Sequence, residues 1–201
     1  MPALFRLMAA PALALSLVLS LPASGVAEPV IASSVAADTL PKGKQTKAAL
    51  YITAAEAAEV VAARKDVLLI DVRTPEETMF VGHPTAADVN IPFALLAPDH
   101  SFDAKKGRYQ MKPNPLFAEA MQSYLDTQDA SAVLIICRSG GRSARAVDAL
   151  IEAGVTLPLY SVIDGFEGDK DKAGQRTVNG WKNAGAPWTT KITAGFLQGV
   201  D

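Results

Sequence analysis

The sequence predicts an α/β fold in which a central, mostly parallel sheet is flanked by helices on both sides. Apolar runs of strand length recur at Val67–Val72, Ala132–Ile136 and Leu159–Ile163, nearly continuous, as expected of strands covered on both faces. Stretches with helical spacing of apolar residues separate these runs. Each run reaches a polar or reactive residue at or near its end, namely Asp71, Cys137 and Asp164. In an open sheet of parallel strands those ends gather on one rim, where ligands bind.

Taken in order, the chain opens on Arg6, an apolar stretch from Leu7 to Leu21 and the small residues Gly25-Val26-Ala27. This is the pattern of a secretory signal peptide over residues 1–27, cut after Ala27, and Pro11 with the short length argues against a stable membrane span. No cysteine follows the apolar stretch, which excludes a lipoprotein. The expected location is a bacterial periplasm. Residues 28–49, rich in Ala, Ser, Val and Lys without periodicity, read as a flexible leader.

A single domain is expected over residues 50–190. Thr53-Ala54-Ala55-Glu56 has capping-box spacing and starts a helix that Ala57, Val60 and Val61 continue. The first strand follows. Phe93 to Pro115, with several prolines and a Lys-Lys-Gly turn, reads as a long surface connection. Leu116, Phe117, Ala120, Met121, Tyr124 and Leu125 then mark a helix by their spacing, which leads to the second strand. A helix from Ser143 to Ala153 stops at Gly154, and the third strand ends in Asp164-Gly165-Phe166. Residues 167–178 are charged and read as a loop near the site. The tail, residues 191–201, is apolar enough around Ile192 to Leu197 to dock or to mediate association.

Composition excludes several roles. The formal net charge is −2 and no Lys/Arg cluster stands outside the segment around residue 138, so neither nucleic acid nor an anionic membrane surface is an expected partner. The chain has one cysteine, so no internal disulfide forms. Its two histidines, His83 and His100, and that cysteine lack metal-ligand spacing, and no cofactor is implied. A lone thiol in an oxidising compartment is a liability unless it is used.

The chemistry centres on Cys137-Arg138-Ser139-Gly140-Gly141-Arg142-Ser143. The two glycines let the backbone curl so that successive N–H groups turn inward as an anion-binding nest, and the following helix adds its own free N–H groups and dipole. Arg138 and Arg142 bring full positive charges. Each contribution favours the thiolate, the reactive form. A buried core thiol would account for Cys137 alone, but not for two arginines and two glycines in the next five residues.

That loop resembles the active-site loop of the rhodanese-like sulfurtransferases. Asp71-Val72-Arg73, Gly82-His83 with Asn90-Ile91-Pro92, and Gly180-Trp181 with Gly185-Ala186-Pro187 resemble the family's other conserved segments. Pro84 to Val89 departs from the family by one extra residue and by lacking the usual Pro-Gly-Ala. The resemblance implies that Cys137 carries a persulfide, taken from a small anionic donor such as thiosulfate and passed to a thiol or cyanide. It further implies that Arg138, Ser139, Gly140, Gly141, Arg142 and Ser143 hold the persulfide and attract the donor. Asp71 and Arg73 are expected to support the loops, His83 to bridge them, and Trp181 to pack the end of the domain. A carrier that hands sulfur to a protein acceptor is the alternative. Tyrosine-type phosphatases and related arsenate reductases place five residues between Cys and Arg; this loop has four, which suits a sulfane sulfur better than a tetrahedral oxyanion.

Overall fold

The computed structural model describes residues 30–200; the export signal expected over residues 1–27 lies outside them. Along the chain the elements are β1 (Tyr51–Ile52), α1 (Ala54–Ala63), β2 (Val67–Asp71), α2 (Pro75–Val81), β3 (His83–Pro84), β4 (Val89–Asn90), β5 (Ala94–Leu96), β6 (Phe102–Asp103), β7 (Arg108–Tyr109) and β8 (Met111–Pro113). There follow α3 (Phe117–Leu125), β9 (Ala132–Ile136), α4 (Gly141–Glu152), β10 (Leu159–Val162) and β11 (Trp188–Thr189). Five strands form the central sheet in the order β1-β10-β9-β2-β4, every neighbouring pair parallel. The strand that delivers the cysteine, β9, is therefore the middle strand.

Alternation along the strands divides the core in two. Leu68, Ile70, Val133 and Ile135 face α3 and α4 through Phe117, Met121, Val147 and Leu150. Val67, Leu69, Leu134 and Ile136 face the other way, onto Ala57 and Val61 of α1 and onto Phe166 and Trp181. Both faces are covered, as the continuous apolar runs require. Trp181 is 1 % exposed, and its indole N–H donates to Pro187 O at 2.9 Å, so it closes the domain's end.

The helix starts follow from local chemistry. Thr53 and Glu56 form a reciprocal capping box on α1. A second such box, Thr74 with Glu77, opens α2, with Pro75 in the first turn. Helix α4 ends as expected, with Gly154 at φ 91° and the Val155 N–H returning to Leu150 O at 3.0 Å.

Two expectations need correction. Residues 30–49 are not a flexible leader, because they are fastened to the domain. The Tyr160 hydroxyl donates to Ile31 O at 2.6 Å and accepts the Ile31 N–H at 3.0 Å. The Lys47 N–H donates to Asp148 at 2.7 Å, and Lys44 pairs with Asp169 at 2.9 Å. Polar partners on distant elements leave no periodic trace. Second, Phe93 to Pro115 is more than a connection: β5 pairs with β8 and β6 with β7 as antiparallel ribbons. Of the two roles open to the tail, the structure shows docking. Asn90 donates to Phe196 O at 2.7 Å and accepts from the Gln198 N–H at 3.0 Å, while the Phe196 ring lies 4.3 Å from that of His83. Among the described residues no helix is long and apolar enough to cross a membrane.

Candidate active site

Strand β9 ends at Ile136 and leaves Cys137 at the carboxyl edge of the sheet's centre. The segment after β10 braces the loop that follows. Phe166 N–H donates to Cys137 O at 2.7 Å, and the N–H groups of Glu167 and Gly168 converge on Arg138 O at 3.0 and 3.2 Å. Such close backbone approach requires glycine. A Cβ on Gly165 would stand 2.4 Å from Cys137 O, and one on Gly140 would stand 2.0 Å from Ile163 O; both residues have positive φ. Gly141 does not share this need, since a Cβ there would meet nothing nearer than 3.9 Å, so the curl expected of both glycines belongs to Gly140.

The curl aims a donor at the sulfur. The Gly140 N–H lies 3.2 Å from Cys137 Sγ. The first intrahelical bond of α4 runs from Ala144 N–H to Gly140 O, so the N–H groups of Gly141, Arg142 and Ser143 are the open end of that helix. Ser143 Oγ is buried and has no hydrogen-bond partner among the described residues. Backbone donors and the positive end of a helix dipole thus stand beside one thiol.

The two loop arginines differ. Arg142 is not free to attract an anion as expected. Its guanidinium grips Glu77 of α2 through two hydrogen bonds of 2.5 and 2.6 Å. Burial works against both charges, yet the pairing prevails: it holds the Arg142 guanidinium above its ordinary value and the Glu77 carboxyl below its own. Arg138 remains half-buried at the loop without an ion-pair partner among the described residues. Nearby Arg176, whose guanidinium donates to Gly168 O, is depressed by burial and by the charge of Arg138.

Asp71 and Arg73 lie beneath the site as a fully buried pair with an Nη2–Oδ2 distance of 2.6 Å. Arg73 also donates to Gly82 O at 2.7 Å and sits 4.1 Å from the centre of the Phe166 ring. It thereby links β2, the end of α2 and the loop that braces Cys137. Asp164 serves similarly, accepting the N–H groups of Ala54 (2.7 Å) and Gly180 (2.9 Å); burial pushes its carboxyl above the ordinary value despite those bonds. His83 bridges loops as expected, its ring nitrogens 3.0 Å from Pro84 O and 3.3 Å from Lys191 O.

A cleft of about 900 Å³ opens above Cys137. The loop and the first turn of α4 form one side; residues 93–113, with their ribbons, form the other, through Phe93, Leu96, Arg108 and Met111. Gly43, from the docked leader, reaches its rim. Sequence reasoning missed Glu77 and the ribbon wall. The Thr74-x-x-Glu77 spacing was a visible signal for the first; nothing in residues 93–115 marked the second.

Comparison with known proteins agrees with this geometry. The family model described as Rhodanese-like domain matches residues 53–172. Thiosulfate sulfurtransferase 16, a chloroplastic protein of Arabidopsis thaliana, is 33 % identical over 97 residues, which cover 48 % of this chain and 68 % of that protein. An uncharacterized protein of Rickettsia prowazekii is 28 % identical over 138 residues, 68 % of this chain and 94 % of its own. The crystal structure of Rv0390 from M. tuberculosis is similar with a TM-score of 0.52 at 32 % identity, covering 70 % of this chain and 96 % of that one.

Proposed function

Since the chain belongs to the rhodanese-like domain family, we propose that it is a sulfurtransferase that moves a sulfane sulfur from donor to acceptor through a persulfide on Cys137. The observation that carries this reading is the Gly140 N–H held 3.2 Å from Cys137 Sγ at the floor of the cleft. A donor aimed at sulfur stabilises the thiolate before reaction and a charged persulfide after it.

The thiolate attacks the outer sulfur of the donor. With thiosulfate, the new bond joins Cys137 Sγ to that sulfur, the original S–S bond breaks, and sulfite leaves with the bonding pair. An acceptor nucleophile, thiol or cyanide, then attacks the outer sulfur of the persulfide and releases Cys137 as thiolate. The free N–H groups of Gly141, Arg142 and Ser143 at the start of α4 are the groups available to hold the outer sulfur. Arg138 offers the charge that draws an anionic donor in, and Arg142 acts through Glu77 as a fixed part of the loop. The export pattern of residues 1–27 supports a periplasmic setting for this activity.

The test is the intact mass of the protein after incubation with thiosulfate or with an organic persulfide, and again after cyanide. A gain of one sulfur that cyanide removes as thiocyanate, and that Cys137→Ser abolishes, is the expected result. No gain from either donor, or a gain that survives Cys137→Ser, overturns the proposal.

A further inference from the structure

The cysteine loop hangs between two supports: the Phe166–Gly168 segment, whose N–H groups take its carbonyls, and helix α4, into which it runs. A third element reaches both. Residues 41–47, which lie outside the segment that the family model matches, cross from one support to the other. At one end Lys44 Nζ meets both carboxylate oxygens of Asp169, at 2.9 and 3.1 Å. Asp169 follows directly on Gly168, whose N–H donates to Arg138 O at 3.2 Å. At the other end the Lys47 N–H donates to Asp148 of α4 at 2.7 Å, and Lys47 Nζ lies 2.5 Å from Glu152 one turn on. Between the two ends a single 3₁₀ turn at Lys42–Lys44 passes the start of α4. There Gly43 stands on the rim of the cleft, its carbonyl oxygen 3.9 Å from where a Cβ on Gly141 would lie.

The two end pairs are not equally firm. Lys47 and Glu152 keep 57 % and 64 % of their side chains exposed, so water and salt screen their attraction, whereas Lys44 keeps 18 %. Asp169 is also held from behind. Its N–H donates to Asn179 Oδ1 at 2.7 Å and its carboxylate accepts from Asn179 Nδ2 at 3.2 Å, while the Arg176 guanidinium donates to Gly168 O. The strap has further fastenings of its own, Ile31 on Tyr160 and the Thr46 N–H on the Tyr51 hydroxyl at 2.8 Å. Loss of the Lys44 charge therefore uncouples the turn from the Phe166–Gly168 brace without detaching the strap. We propose that Lys44 is a positioning residue for sulfur transfer. It acts through Asp169 and the Gly168 N–H on Arg138 O, keeping the Gly140 N–H aimed at Cys137 Sγ while the thiolate attacks the donor's outer sulfur and the leaving group departs with the bonding pair. This rests on the sulfurtransferase reading. Small displacements at a reacting centre cost rate far more than they cost stability, so an ion pair of little weight in folding carries weight in turnover.

The experiment compares wild type, Lys44→Met, Lys44→Arg, Asp169→Asn and the double variant Lys44→Met/Asp169→Asn in the full protein by two readouts. The first is hydrogen–deuterium exchange of the Phe166, Glu167 and Gly168 amides, which needs no substrate. The second is sulfur loading from thiosulfate or an organic persulfide, followed by mass: the amplitude counts folded, competent protein, and the rate constant and KM report how the site is held. In Lys44→Met and in Asp169→Asn those amides exchange about tenfold faster, and the loading rate constant falls about tenfold at unchanged amplitude and KM. Lys44→Arg stays close to wild type in both readouts, and the double variant is no worse than either single one, as expected of two residues that act as one pair. Unchanged exchange in Lys44→Met, a loss of amplitude in place of rate, or a Lys44→Arg variant that behaves as Lys44→Met overturns the role of Lys44 and leaves sulfur transfer standing. Wild type that loads from neither donor overturns the sulfurtransferase reading, and this role with it.

Discussion

Arg73 and Arg142 each grip a carboxylate through two nitrogens, with shortest contacts of 2.6 and 2.5 Å, yet the two pairs sit in different surroundings. Asp71 and Arg73 have no exposed side-chain surface, whereas 11 % of Arg142 and 20 % of Glu77 remain open to the cleft. The first pair has only protein around it and fixes the junction of β2, α2 and the Phe166 segment. The second faces the cleft and offsets part of the charge that the cysteine loop presents. Identical chemistry thus serves architecture in one place and tuning in the other, and burial decides which.

The sharpest way to break this comparison is to remove each arginine. Arg73→Ala leaves the buried Asp71 carboxylate with only the backbone N–H of residue 73 at 3.0 Å for a partner, and loss of one member of a buried pair costs about 3–5 kcal/mol. Arg142→Ala leaves a carboxylate that water can reach, for which about 1–3 kcal/mol is expected. Urea denaturation of both variants measures this directly, and equal losses would erase the distinction. A smaller effect is expected with pH. The Glu77 carboxyl lies below its ordinary value of 4.5, because Arg142 outweighs burial. Its contribution to stability is therefore complete above that ordinary value and is lost as pH falls through the lower, folded value. The difference in unfolding free energy between wild type and Glu77→Gln should accordingly be constant near neutrality and shrink in acid; a difference that grows in acid would contradict the pairing. The smallest effect belongs to Lys44 and Asp169, an ion pair whose carboxylate is 43 % exposed. Lys44→Ala should cost about 0.2–1 kcal/mol in the same denaturation assay.

The sheet was legible because buried parallel strands write themselves as unbroken apolar runs, and Val67–Asp71, Ala132–Ile136 and Leu159–Val162 lie where those runs lie. The cysteine loop was legible because Gly and Arg have no packing reason to follow a buried strand. Glu77 escaped because its partner lies 65 residues away, and a carboxylate in a first helical turn already has a sufficient local reason in the capping box. The ribbons escaped because Phe102–Asp103 and Arg108–Tyr109 are two-residue strands, too short to show alternation. Ile31 and Lys47 escaped because each is held through polar atoms on a remote element, a relation that no spacing rule detects.

The position of β9 in the middle of the sheet also governs when the thiol is assembled. Ala54 meets Asp164 across 110 residues, and Ile31 meets Tyr160 across 129. Loop closure over such distances adds little equilibrium cost, since the entropy grows only logarithmically with length, but it slows the search. The bonds that brace the cysteine come from Phe166 to Gly168, so an emerging chain lacks them until about thirty residues past Cys137 have been made. The front of the molecule waits for its back. A chain still being synthesised, or held extended, carries Cys137 on an unbraced loop; the braced loop is acquired only with the last third of the fold.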